Sequence, residues 1–230
     1  MAKKQDKDKT EGGIVAVEEA LSRTEKFIEK NQKILTIVIG VIVVVVLIFF
    51  GFKRFYMAPR EQEAKEQMYM AQQYFEMDSL NLALNGDGMY PGFLKIIDNY
   101  GMTKGANLSK YYAGICYLKM GNFEEAISYL KAFKGKDQII GPMAKGAIGD
   151  AYVELNQTAK AAEYYNEAAD LVENEFTTPL FLMKAGWTYE LLKEYPKAVS
   201  IYERIKYKFP TSTEAREIDK YIARAKGLIK

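Results

Sequence analysis

The sequence predicts an all-α protein: a single N-terminal transmembrane helix, then an α-solenoid of helical hairpins closed by a C-terminal capping helix. Three observations carry this reading. The run Ile34 to Phe52 holds no charged residue. Beyond it, apolar residues recur at helical spacing, with no alternating strand pattern. Along the second half a pattern of small residues and tyrosines repeats, and its leading glycines, Gly114, Gly149 and Gly186, lie 35 and 37 residues apart.

Taken in order, residues 1–13 are polar and of mixed charge and are expected to be a disordered tail. Over 14–33, Ile14, Val17, Leu21 and Ile28 share one helical face opposite Glu19, Arg23, Lys26 and Lys30, although Glu25 interrupts that face. This predicts an amphipathic juxtamembrane helix; a surface-lying or partner-docking helix and a plain extension of the anchor both stay open. The segment 34–52 would be about 28 Å long as a helix, close to the hydrocarbon thickness of a bilayer. No small-residue cleavage site follows it, only YMAPRE, so it reads as a permanent anchor. Flanking charges do not orient it. Arg23, Lys26, Lys30 and Lys33 on one side equal Lys53, Arg54, Arg60 and Lys65 on the other.

Pro59 marks the start of the polar part. Residues 57–104 carry Ala71, Tyr74, Leu80 and Ala83 at the offsets of a degenerate first hairpin. The insert NGDGMYPGFLKIIDNYG then supplies turn residues and a short helix. Residues 105–210 hold three hairpins: Gly114, Tyr117, Gly121, Phe123, Ala126 and Leu130, then Gly149, Tyr152, Ala161, Tyr165 and Ala168, then Gly186, Tyr189, Tyr195, Ala198, Tyr202 and Pro210. Glycine inside a helix costs about 1 kcal/mol against alanine. Gly114 therefore needs a close helix crossing, and Gly121 a left-handed turn. In 211–230, Thr211 and Glu214 have capping-box spacing, and Ala215, Ile218, Ile222 and Ala225 form the inner stripe of the capping helix. Its basic residues, Arg216, Lys220, Arg224, Lys226 and Lys230, read as a solvated face.

Composition narrows function by exclusion. The chain has no histidine, one cysteine and a net charge of +2. Histidine triads, histidine-ligated metals, internal disulfides and phosphate-driven nucleic-acid binding are all disfavoured. GPMAKGAI places Ala147 and Ile148 where a phosphate loop needs lysine and a hydroxyl. NGDG at 85–88 is too poor in carboxylates for a calcium loop. The sequons at Asn107 and Asn156 matter only in a eukaryotic secretory setting. Cys116 reads as a packed apolar residue. With no convergent acid, base and nucleophile, the chain reads as non-enzymatic, with no cofactor and no metal.

The repeated glycine, tyrosine and alanine positions resemble tetratricopeptide repeats, whose usual period is about 34 residues. In such arrays the first helix of each hairpin lines a concave groove for peptides. Carried onto this chain, the resemblance implies a partner-binding groove of Tyr111, Ile115, Leu118, Met143, Asp150, Val153, Glu154, Met183, Trp187 and Glu190. The lysines and asparagines of carboxylate-clamp adaptors are missing: Tyr111, Ile115, Met143 and Ala147 stand there instead. An aromatic, methionine-containing, mildly acidic groove suits apolar or unfolded segments. Trp187 is the only tryptophan, a residue type enriched in binding hot spots; inter-repeat packing is its alternative role.

The segments TTPLFLMKAGWTYELLKEYPKA and YYAGICYLKMGNFEEAISYLKAFK resemble tetratricopeptide proteins of Bacteroidetes-type bacteria. The layout of anchor, repeats and cap is also similar to the YfgM-like family of ancillary SecYEG translocon subunits. That resemblance implies a cytoplasmic N-terminus, one inner-membrane span and a periplasmic repeat domain. It also implies SecYEG and a PpiD-like membrane-anchored chaperone as partners, with unfolded secretory proteins as clients. Two other readings stay open: a structural coordinator of envelope assembly or cell division, and a cytosol-facing import receptor.

Overall fold

The structure, a computed structural model, describes residues 28–135 and 137–229. The expected tail and most of the amphipathic stretch, residues 1–27, lie outside the described residues. Two compact units divide between Ala58 and Pro59.

The first unit is the apolar helix α1, residues 28–51, followed by a π-helical turn at Phe52–Met57. Its apolar side chains face outward all round, Leu47 and Ile48 being about two-thirds exposed. This helical run is long and apolar enough to cross a membrane, and none of its apolar window is buried by protein. A helix with its backbone bonded internally and apolar side chains on every face is suited to hydrocarbon surroundings. Where the apolar run ends, the rings of Phe52 and Tyr56 stack 5.0 Å apart beside Lys53 and Arg54. Aromatic and basic residues together are typical of a bilayer interface.

The second unit is helical in all its named elements: α2 (Ala58–Glu76), α3 (Leu80–Asn85), α4 (Phe93–Tyr100), α5 (Lys104–Lys119), α6 (Phe123–Ala132), α7 (Ile140–Glu154), α8 (Thr158–Leu171), α9 (Thr177–Leu191), α10 (Tyr195–Lys208) and α11 (Ile218–Gly227). Helix α2 packs on α5, with the Cα of Gly105 so close to Ala64 that an added Cβ would lie 3.0 Å from the alanine methyl. Between α3 and α4 the chain doubles back through an isolated bridge of Gly86 and Pro91, and Tyr74 donates a 2.7 Å hydrogen bond to Asp87 there. The three later hairpins are α5–α6, α7–α8 and α9–α10.

The interior of each hairpin is set by its leading glycine. A Cβ on Gly114 would sit 2.5 Å from Leu130 Cγ, and one on Gly149 would sit 2.6 Å from the Tyr165 ring. On Gly186 it would overlap the ring of Tyr202, which is fully buried. The missing methyl is the space the second helix's large residue occupies. The connecting turns bend through the left-handed region at Gly121, Asn156 and Lys193, and at Asp78 after α2. Only the first of these is a glycine. The other side chains carry a backbone cost of about 1–2 kcal/mol at such angles, least for Asn and Asp.

Two cores result. One gathers Ala64, Met68, Leu84, Phe93, Ile96 and Cys116 from α2 to α5. The other runs through α6 to α11 with Ile148, Leu182, Tyr202 and Ile205. Helix α5 serves both: Ala113 and Cys116 face the first, while Tyr111, Ile115 and Leu118 pack on the second.

The capping helix begins later than its sequence suggests. Residues Glu214–Glu217 form a 3-10 turn, and the hydroxyl that accepts a helix-start N–H is that of Ser212, from Ala215 at 3.2 Å. Thr211 is exposed and the expected Thr211–Glu214 box is not formed. Ser212 is itself nearly buried, so its hydroxyl has no water to turn to and caps the turn instead. The basic face of α11 is not simply solvated either, since Arg224 and Lys226 pair with Glu190 and Glu203.

Two substitutions with opposite signs check this account by thermal unfolding of the full chain in detergent. Gly186→Ala forces the Tyr202 ring aside and lowers stability by about 1–3 kcal/mol. Lys193→Gly relieves the left-handed turn and raises stability by up to about 1 kcal/mol.

Candidate protein-binding cleft

One open cleft has a volume of about 490 Å³. It opens where the C-terminal ends of two successive first helices, α5 and α7, stand side by side. Leu118 and Lys119 come from α5, Gly121 from the turn, Phe123 from α6, Asp150, Val153 and Glu154 from α7, and Tyr165 from α8. The left-handed turn at Gly121 swings α6 back and leaves the gap open, and the small Gly149 lets Tyr165 reach the floor.

The electrostatics of this floor rest on one carboxylate. Asp150 accepts a 2.6 Å hydrogen bond from the Tyr165 hydroxyl and is bridged by Lys184 Nζ of α9 at 2.7 and 2.9 Å. Burial, then the bond to Asp150, push the Tyr165 phenol well above its ordinary 10. It therefore remains a donor through the physiological range. The same device recurs one repeat on. Tyr202 donates to Glu190 at 2.8 Å, and Arg224 of α11 closes the pair at 2.8 Å. Burial and Glu190 likewise raise the Tyr202 phenol.

Four of the expected groove residues, Leu118, Asp150, Val153 and Glu154, therefore share one cleft. Val153 and Glu154 are exposed there. Tyr111, Ile115 and Met143 are partly buried against the main core, and Tyr111 leans on Phe133 with ring centres 5.7 Å apart. Met183 belongs inside: it is 5% exposed and is part of the long core. Glu190 is also removed from the open surface, with a side chain 14% exposed and held by Tyr202 and Arg224. Trp187 is 44% exposed but stands apart from this cleft, 6.2 Å from the Tyr221 ring of α11.

Phe123, Tyr165 and Lys119 complete the cleft and were missed as site residues. Phe123 and Tyr165 fall on repeat positions that read as core fillers, and a lysine at a helix end carries no signal of its own. Among the described residues no group of three His, Cys, Asp or Glu could hold a metal ion.

Comparison with known proteins agrees with this architecture. A family model described as tetratricopeptide repeat matches residues 111–175 and again 147–213. Two solved structures of nearly identical TPR-like repeats of a kinesin light chain from Podosopora anserina are similar in fold. One, a point variant, has 13% identity and a TM-score of 0.55, covering 75% of this chain and 89% of that one. The other has 13% identity and a TM-score of 0.54, covering 73% and 87%. No curated protein matches the chain.

The buried acids make a pH prediction. Burial pushes the Cys116 thiol up from 9.0 to about 12, and Tyr165 and Tyr202 move in the same direction. The unfolded chain would release these protons first, so stability is full below about pH 9 and is lost as pH rises through 12. Urea unfolding at pH 8, 10 and 11 should show a falling midpoint, and Tyr165→Phe should flatten the fall. A midpoint unchanged across this range would contradict the assignment. The residues that line the cleft all fall within 111–213, the stretch that the tetratricopeptide-repeat model matches.

Proposed function

We propose that this protein is a non-enzymatic, membrane-anchored adaptor that holds a protein partner in the cleft between α5 and α7. Tetratricopeptide repeats are protein-binding scaffolds, and the observation that carries the specific reading is the chemistry of this cleft. Its apolar floor of Leu118, Val153 and Phe123 lies beside an exposed glutamate, Glu154, while Asp150 is already neutralised by Lys184. An extended apolar segment, with a basic residue near Glu154, is the partner chemistry that fits. The exposed apolar surface of α1 supports anchoring in a bilayer, which would raise the effective concentration of a weak binder at the membrane.

Within this reading the protein sits in a bacterial inner membrane with its N-terminus cytoplasmic and its repeats periplasmic. It serves there as an ancillary subunit beside SecYEG and a PpiD-like chaperone. The similarity of layout to the YfgM-like family supports that placement.

Purification of the tagged full-length protein in mild detergent, with a photocrosslinker at Val153, tests both levels. Crosslinks to translocon subunits and a periplasmic chaperone are expected. A folded Leu118→Arg, Phe123→Ala double variant, with the crosslinker at the same position, should lose at least nine-tenths of them. Crosslinks that persist in the folded double variant would remove the cleft from the mechanism. Recovery of division or peptidoglycan proteins instead would keep the adaptor and discard the translocon.

A further inference from the structure

Each of the three later hairpins is preceded by one large apolar residue that the fold leaves outside. Met102, Ile139 and Phe176 are 73%, 44% and 67% exposed, and each lies 37 residues after the one before. Single exposed apolar residues are ordinary, but recurrence at one repeat position is not expected of residues with no role. Two of them are presented by the same local device. Asp137 accepts from the N–H groups of Ile139 and Ile140, and Asn174 from those of Phe176 and Thr177.

Hydrogen bonds between neighbouring hairpins place the three residues in a row along one edge. Glu61, in the first turn of α2, accepts from Lys104 N at 2.7 Å, next to Met102. Asn107 exchanges two bonds of 3.0 Å with Lys134, in the loop that leads to Ile139. Asn174 donates to Gln138 O at 2.9 Å, joining the Ile139 loop to the Phe176 loop. At the far end Tyr207, 74% exposed, closes the row beside Lys208, which reaches back to Glu173.

This edge begins at the first turn of α2, which is where the chain enters the repeat domain. Phe52, the end of the apolar run, is seven residues before Pro59, so the two are no more than about 25 Å apart along the chain. Charges of both signs flank the row: Lys104 and Lys134 are exposed beside Met102 and Ile139, Glu173 pairs with Arg204 and Lys208, and Asp137 and Glu175 are exposed acids near Ile139 and Phe176.

We propose that this edge is a bilayer contact. Met102, Ile139, Phe176 and Tyr207 enter the boundary between headgroups and acyl chains, and Lys104 and Lys134 lie at the phosphates of anionic lipids. The proposal rests on the membrane-anchor reading of α1. A bilayer is favoured over a protein surface because the chain's own tether holds this edge within reach of it.

The test uses the full chain in vesicles of phosphatidylethanolamine and phosphatidylglycerol. Cys116→Ala variants carry a single environment-sensitive probe at Met102→Cys, Ile139→Cys or Phe176→Cys, with Leu191→Cys, 71% exposed, as control. Nitroxide-labelled lipids should quench the three edge probes at least threefold more than the control. Equal quenching at all sites overturns the proposal. So does an edge probe that is shielded from water yet unquenched by lipid, since that marks a protein cover. Vesicle flotation after an alkaline wash separates the two levels. Protein that fails to float removes the anchor and the edge contact together, whereas floating protein with unquenched edge probes removes the edge contact alone.

Discussion

The repeat domain depends on the close approach of two helices at a glycine. Where Gly149 and Gly186 lack a side chain, the rings of Tyr165 and Tyr202 fill the space, and in the first hairpin Leu130 does so against Gly114. A ring pushed this far into a hairpin carries its hydroxyl into a place water does not reach. That hydroxyl must find an acceptor, because an unpaired buried polar group costs about 1–3 kcal/mol. Asp150 and Glu190 are those acceptors, and each carboxylate is met in turn by a cation. Lys184 and Arg224 arrive from the next helix in the array. One steric choice thus propagates through a hydrogen bond into an ion pair, and the ion pair fastens neighbouring repeats.

The same chain of causes separates what the sequence reveals from what it conceals. The span of α1 is legible because its whole signal is local: length, and the absence of charge. The hairpins are legible because glycine, alanine and tyrosine recur at distances set by helix crossing. Membership of the cleft is legible only in part. Leu118, Val153 and Glu154 follow from counting along a helix face, but Met183, reached by the same counting, is buried in the long core. The partners of Asp150 and Glu190 are 34 residues away, and no short-range spacing links them. Ser212 outcompetes Thr211 as a cap because it is buried, which is a property of the surroundings and not of the tripeptide.

The hairpin of α5 and α6 occupies a different position from the others. One face of α5 closes the core built with α2, α3 and α4, and the other closes the long core that continues to α11. The cleft lies on the side of the long core, to which Leu118, Phe123 and Tyr165 belong. A solenoid is stabilised mainly between neighbours, and α5 is the helix through which its two cores are joined.

Arg224 closes the second Tyr–carboxylate pair from α11. In the preceding repeat that position in the circuit belongs to Lys184, on the first helix of a full hairpin. Helix α11 thus stands toward Tyr202 and Glu190 as α9 stands toward Tyr165 and Asp150, so the ring of α10 keeps the same partnered acceptor that the ring of α8 has.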